Sequence, residues 1–317
     1  MEVVNAVVLF LLGFFILIRG AQILVKGATS VAKLFNISTW FIGIAVVGIG
    51  TSIPELSINL VSAFEGSSVG LGTIIGSNTF NLLMILGVSA LFTPIVMQGT
   101  WIKDFAFNVL AVAIAGVVIL LPVLGDGDFL GVTHFEGALL LALFVGWLVV
   151  MFRRGASEKN DVDYQVFGFV TSLVMIVAGV FGVFFGGAWV VDGAEQVATF
   201  LGVSPAVIAL TIVGAGTSLP ELTVSVVAAL RKNMSIAVGN VIGSNIFDFL
   251  GILGITALVH PIAIEAGVRF DIFATFLATA LLFAFLFIGK HLTLGRIEGI
   301  VFILSYVAYV LFFFWRG

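Results

Sequence analysis

Long apolar runs, each interrupted by few polar residues, follow one another along the whole chain. A membrane-spanning helix needs about 20 mostly apolar residues. On that measure there are ten spans, over residues 3–25, 39–64, 69–94, 102–122, 132–152, 166–190, 205–229, 236–259, 269–289 and 296–315. The runs are continuous rather than alternating, which excludes a transmembrane β-barrel. One polar stretch stands apart, from Arg153 to Tyr164, carrying Arg153, Arg154, Glu158, Lys159, Asp161 and Asp163. It separates a first five-helix set (1–152) from a second (165–317) and reads as a linker over 153–164. The pattern predicts an all-α polytopic membrane protein with ten transmembrane helices.

The two sets repeat one another. Gly20, Gly27, Ala28, Ser38, Thr51, Ser52, Pro54 and Glu55 match Gly186, Gly193, Ala194, Ser204, Thr217, Ser218, Pro220 and Glu221 at a constant offset of 166. After one inserted residue, Gly72, Gly76, Ser77, Asn78 and Phe80 match Gly239, Gly243, Ser244, Asn245 and Phe247 at 167. Pro94 pairs with Pro261, and Asp104 with Asp271. Because each set holds an odd number of spans, the second enters the membrane from the opposite side. The repeats are therefore expected to be inverted, and paired broken helices in inverted repeats point to a substrate site. Basic residues agree with this topology. With the N-terminus outside, 11 of the 13 Lys and Arg fall on the inner side, leaving only Arg269 and Arg316 outside. Both termini are predicted to be extracellular and the linker cytoplasmic, in the cell membrane.

Composition strengthens the membrane assignment. Hydrophobic residues make up 61% of the 317 positions and charged residues 9%, against roughly 25% in soluble domains. The 32 phenylalanines and 37 glycines suit a lipid setting with close helix packing. Cysteine is absent, which removes disulfides, thiolate metal sites and cysteine nucleophiles. The net charge of −4 adds little. Glu2 stands where a cleaved signal peptide would carry basic residues, so none is expected.

Candidate chemistry sits where the apolar pattern is violated. Gly48-Ile49-Gly50-Thr51-Ser52-Ile53-Pro54-Glu55 and its copy, Gly214 to Glu221, place breakers and a carboxylate inside spans two and seven. A carboxylate at that depth is costly and persists only with partners. Glycine and proline should end one half-helix and start another, leaving the carbonyls of Gly48, Thr51, Gly214 and Thr217 free. Carbonyls, hydroxyls and carboxylates are hard ligands suited to sodium and calcium. The competing reading is a capping box, Ser52-x-x-Glu55 and Ser218-x-x-Glu221. The expectation is that both hold, with the cap shaping the site.

Spans three and eight carry the second element. Gly72 with Gly76, and Gly239 with Gly243, form GxxxG pairs that would admit close helix approach. Ser77 and Asn81 share one helix face, as do Ser244 and Asp248. Asn78 and Asn245 stay undecided between ligand and interhelical hydrogen bond. Three carboxylates, Glu55, Glu221 and Asp248, would crowd the site, with the neutral Asn81 opposite Asp248 by repeat. Crowding raises carboxyl pKa values, so Asp248 is expected to be protonated or weakly coordinating when calcium is bound. Asp104 and Asp271 open helices at the interface. Asp126, Asp128, His134 and Glu136 read as a solvated acidic outer loop, and Asp192 and Glu195 as interfacial. Trp40, Trp101 and Trp315 read as interfacial belts.

The two inverted repeats, each with GTS-x-PE followed by G-x-x-x-GSN-x-x-(N/D), resemble the cation/calcium exchanger superfamily. The closest branch is the compact prokaryotic type of sodium/calcium exchanger. The resemblance implies a secondary-active antiporter that exchanges sodium for calcium by alternating access, with no resident cofactor. Glu55 and Glu221 with the carbonyls of Thr51 and Thr217 would hold calcium. Ser52, Ser77, Ser218 and Ser244 with the carbonyls of Gly48 and Gly214 would complete sodium sites, and Asn81 and Asp248 would line the middle. Spans one and six would slide as a gating pair. The resemblance also implies calcium, sodium and the bilayer as partners, no nucleic acid, and function as a monomer. Gly48 and Gly214 stand where the family often has a less flexible small residue, though a carbonyl ligand survives that change. The alternatives are a calcium/proton exchanger and, from the Ser-Asn-x-Phe-(Asn/Asp) wording, a potassium-dependent one. A cation channel and an intramembrane enzyme are weaker: repeats with occluding breaks favour counter-transport, and no HExxH, P-loop or Ser/His pairing lies in the spans.

Overall fold

Glycine spacing along the two longest helices shows how this chain packs. The computed structural model describes residues 2–65, 69–121, 131–155, 165–202, 214–264, 268–288 and 291–316. Helix α1 (Glu2–Leu34) is followed by α2 (Thr39–Thr51), α3 (Ile53–Phe64), α4 (Val69–Phe92), α5 (Ile102–Leu120) and α6 (His134–Gly155). The second half supplies α7 (Phe169–Phe200), α8 (Leu219–Leu230), α9 (Met234–Val259), α10 (Val268–Phe285) and α11 (Arg296–Arg316). Among the described residues six helices are long and apolar enough to cross a membrane, or seven if α2 and α3 form one bent span. Large apolar side chains such as Leu11, Phe15, Val170 and Leu304 are exposed, as lipid-facing positions require. Asp126, Asp128, Ser204 and the acidic and basic residues of 156–164 lie outside the described residues.

The helices gather into two compact units that cut across the repeats. The first holds 1–51 and 153–240, the second 52–152 and 241–317. In the first unit, α1 and α7 run antiparallel with backbone against backbone. A Cβ on Gly20 would come within 2.7 Å of the Gly182 backbone, and one on Gly179 within 2.6 Å of the Leu24 amide. Gly13, Gly20 and Gly27 meet α7 at seven-residue intervals, as Gly179, Gly186 and Gly193 meet α1. Small residues permit this approach, and dispersion and weak polar contacts then hold the pair where lipid supplies no hydrophobic drive. Leu17, Ala21, Leu24, Ile176, Val183 and Val224 fill the core around it. Spans one and six were drawn as 3–25 and 166–190 but the helices reach Leu34 and Phe200, because a hydropathy limit ends at the first polar residues while helical hydrogen bonding does not.

In the second unit, α4 packs with α3, α10 and α11. The Gly87 and Gly299 backbones touch, and so do those of Gly137 and Gly254. Two short antiparallel strand pairs tie its connections: β1 (Ile95–Val96) with β4 (Thr293–Leu294), and β2 (Gly131–Val132) with β3 (Ile262–Ala263).

Several expectations are corrected here. Trp40 and Trp101 are 3% and 2% exposed, so they are core residues and not an interfacial belt. Glu136 is buried rather than solvated: Thr133 donates to its Oε2 from both N (2.9 Å) and Oγ1 (3.0 Å), capping α6. His134 is exposed, but its Nδ1 lies 2.7 Å from the Ala257 carbonyl. Among the described residues nothing lies within 4 Å of an added Cβ on Gly72 or Gly76; residues 203–213, which hold the repeat counterparts of Trp40 and Ile44, lie outside the described residues. A Cβ on Gly239 would lie 3.1 Å from the Trp40 carbonyl and 3.2 Å from the Ile44 amide.

Candidate ion-binding site

The chemistry-bearing residues lie where helices are interrupted. Helices α2 and α3 are bent by 45° with Ser52 between them, and Pro54 falls in the first turn of α3. Proline lacks the N–H that would continue the ladder. Ser218 and Pro220 open α8 in the same way. Neither serine makes a side-chain cap bond, which corrects the capping-box expectation. The unwinding is also narrower than glycine and proline suggested. Residues 49–51 and 214–216 are helical, and Thr51 Oγ1 lies 3.2 Å from the Gly48 carbonyl, which it can engage. Matching π-helical turns, Asn81–Ile85 in α4 and Phe247–Ile252 in α9, mark the second element. Such turns shift side-chain direction within a helix and recur at functional sites.

Within the second unit Ser52, Glu55, Ser77, Asn81, Ser244 and Asp248 are all at most 2% exposed. Asn78 Nδ2 donates to Asp248 Oδ2 at 2.9 Å, and Ser52 also hydrogen-bonds this carboxyl. Asn81 Nδ2 donates to Asn245 Oδ1 at 3.3 Å. Repeat correspondence maps one pair onto the other, 78 to 245 and 248 to 81, with donor and acceptor exchanged. Thus the undecided Asn78 and Asn245 are interhelical bonders. The carboxamide oxygens of Asn78 and Asn81 and Oδ1 of Asp248 are buried with no hydrogen-bond partner among the described residues. Buried oxygens without donors are costly in a membrane interior and suit a cation.

The first unit places Gly48, Thr51, Thr217, Ser218 and Glu221 on α2 and at the opening of α8, with Gly214 beginning the preceding helical turn. Thr51, Ser218 and Glu221 are at most 2% exposed. The hydroxyls of Thr217 and Ser218 are buried and have no partner among the described residues. Asn240, which the sequence reading passed over, bonds to the Glu221 carbonyl and to Thr51. Its signal was present: an amide stands in the repeat position where the first half has Thr73.

A protein-family model described as sodium/calcium exchanger protein matches residues 5–153 and 171–315. The chain belongs to this family. It is 35% identical over 300 residues to an uncharacterized membrane protein of Methanocaldococcus jannaschii, covering 94% of each chain. It is 31% identical to sodium/calcium exchanger MaX1 of Methanosarcina acetivorans, covering 99% of this chain and all of that one. A solved structure of the sodium-calcium exchanger NCX_Mj superposes with a TM-score of 0.83 at 33% identity, covering 97% of this chain and 98% of that one. These relatives bear out the compact prokaryotic type and the expectation of a transmembrane ion antiporter rather than an enzyme.

Proposed function

We propose that the chain exchanges sodium for calcium across the cell membrane by alternating access. Its ten spans would form two inverted five-helix repeats (1–152 and 165–317) joined by the cytoplasmic linker 153–164, with both termini outside and the monomer as the working unit. The observation that carries the reading is the buried oxygen set itself. Asp248, Glu55 and Glu221 are each 1% exposed, and no lysine, arginine or histidine is buried among the described residues. Buried charge without buried basic groups calls for a mobile cation, and hard oxygen donors select sodium or calcium over softer metals.

Glu55 and Glu221 with the Thr51 and Thr217 carbonyls would ligate calcium. Ser52, Ser77, Ser218 and Ser244, with the Gly48 and Gly214 carbonyls, would serve sodium. Asn81 and Asp248 would line the central position. Membership of the exchanger family and the twofold repetition of these residues support the assignment. Occupancy that neutralises the carboxylates lowers the cost of carrying them through a reoriented state, which couples the two ion flows.

Purified protein in calcium-loaded vesicles tests this reading. Calcium efflux should require external sodium at constant pH, without potassium. Efflux driven by a proton gradient in sodium-free medium would select the calcium/proton alternative. A strict requirement for potassium would select the potassium-dependent one.

A further inference from the structure

Asn240 uses both ends of its amide on residues of the proposed site. Its Nδ2 donates to the Glu221 carbonyl at 3.1 Å and to Ser225 Oγ at 2.9 Å, and Asn240 is wholly buried. A carbonyl can only accept, so the NH2 end must face Glu221 and the oxygen end must face Thr51. Thr51 Oγ1 lies 3.0 Å from that oxygen and 3.2 Å from the Gly48 carbonyl. A hydroxyl has one proton to give. Asn240 therefore competes with Gly48 for it, and each share it takes leaves the Gly48 carbonyl more available to a cation.

The first repeat meets the same requirement with different residues. Asn59, which corresponds to Ser225, donates its Nδ2 to the Glu55 carbonyl at 2.8 Å. Gly70, which corresponds to Ala237, makes room for it: a Cβ there would lie 2.8 Å from Asn59 Oδ1 and 2.9 Å from its Cα. Thr73, which corresponds to Asn240, turns its hydroxyl back to the Val69 carbonyl at 2.9 Å. So Asn59, Gly70 and Thr73 in one repeat, and Ser225, Ala237 and Asn240 in the other, each deliver one amide N–H to the carbonyl of the repeat's glutamate. Among the described residues only Asn240 reaches a threonine of the GTS motif as well. The hydroxyl of Thr217 has no such partner among the described residues.

We propose that Asn240 is a positioning residue for cation binding, which fixes the Glu221 backbone and draws the Thr51 proton from the Gly48 carbonyl, and that this three-residue exchange makes the two repeats unequal in ion affinity. The proposal rests on the exchange reading for the role of Glu221 and Gly48.

The test compares full-length Asn240→Thr with the triple variant Ser225→Asn, Ala237→Gly, Asn240→Thr, which installs the first repeat's arrangement in the second. Asn240→Thr should raise the calcium concentration for half-maximal exchange roughly tenfold, with little change in maximal rate. The triple variant should recover to within about threefold, because its new amide restores the bond to Glu221. An unchanged half-saturation in Asn240→Thr, or a triple variant no better than it, overturns the proposal. If Asn240→Thr does not fold, the triple variant decides: folding with calcium binding supports the exchange of residues, and failure to fold refutes it. Calorimetric titration of calcium into the purified proteins separates this from the transport reading. Wild type that binds calcium without exchanging it for sodium, with the same weakening and recovery in the variants, would end the exchange reading and leave the role of Asn240 standing.

Discussion

Asn78 donates a 2.9 Å hydrogen bond from its amide nitrogen to the Asp248 carboxylate, joining α4 to α9 at positions that the internal repeat maps onto Asn245 and Asn81. The second pair joins the corresponding residues with donor and acceptor exchanged: Asn81, the counterpart of Asp248, donates to Asn245. Asn78→Asp would remove the amide N–H that Asp248 Oδ2 accepts and add a second carboxyl beside it in a buried site. It should cut calcium exchange at least about tenfold. Asp248→Asn makes the two pairs chemically equal and keeps an acceptor for Asn78, so exchange should persist. Calcium uptake by vesicles containing each variant measures both, and complete loss in Asp248→Asn would contradict a neutral or weakly coordinating Asp248.

Glu55 and Glu221 are each 1% exposed and open the half-helices α3 and α8 within matching motifs. Glutamine keeps their shape and removes the charge that a bound ion would use. Glu55→Gln and Glu221→Gln should each lower calcium transport by about 100-fold or more while leaving the melting temperature unchanged or raised, since a buried charge is removed. Calcium transport at wild-type rate in either variant would remove that glutamate from the site.

Glycine substitutions should separate packing from mere small size. A Cβ on Gly186 would overlap the Leu17 amide, backbone against backbone, whereas one on Gly146 meets nothing within 4 Å among the described residues. Gly186→Ala must push α1 and α7 apart and should cost about 1–3 kcal/mol. Gly146→Ala, inside a helix with room to spare, should be neutral or stabilising by up to about 1 kcal/mol. Thermal unfolding in detergent compares them, and equal melting temperatures would refute the close α1–α7 contact.

Glu136 caps α6 through the Thr133 amide and hydroxyl, and Glu298 reaches the Gly295 amide at the start of α11 in the same manner. Glu136→Ala should cost about 1 kcal/mol. It should also speed hydrogen exchange at the Thr133 amide, with transport little changed because the cap is not among the proposed ion ligands. Unaltered exchange at Thr133 would show that the carboxylate does not hold the cap.

Much of this was legible before any coordinates. Apolar run length located every described helix of span length, since in lipid the backbone has no alternative to internal hydrogen bonding. Repeat spacing singled out Thr51, Ser52, Glu55, Asn81 and Asp248 because each violates an apolar rule at a matched place. Trp40 and Trp101 were misread because composition near a span end cannot tell a lipid belt from a protein core. Glu136 looked solvated because its neighbours in sequence are acidic, while its partner Thr133 lies three residues back at a helix start.

The sequence by itself determined the membrane class, the repeat and the residues that must be compensated, because those follow from period, length and the cost of charge in lipid. Only the tertiary structure decided which side chains answer one another. Ser52 could cap its own helix or reach Asp248, and it takes Asp248. Asn240 could have been another motif residue and instead ties Thr51 to Glu221. Hydrogen bonds form between groups brought within about 3 Å by packing, and that proximity, unlike burial or charge, is not written in the order of the residues.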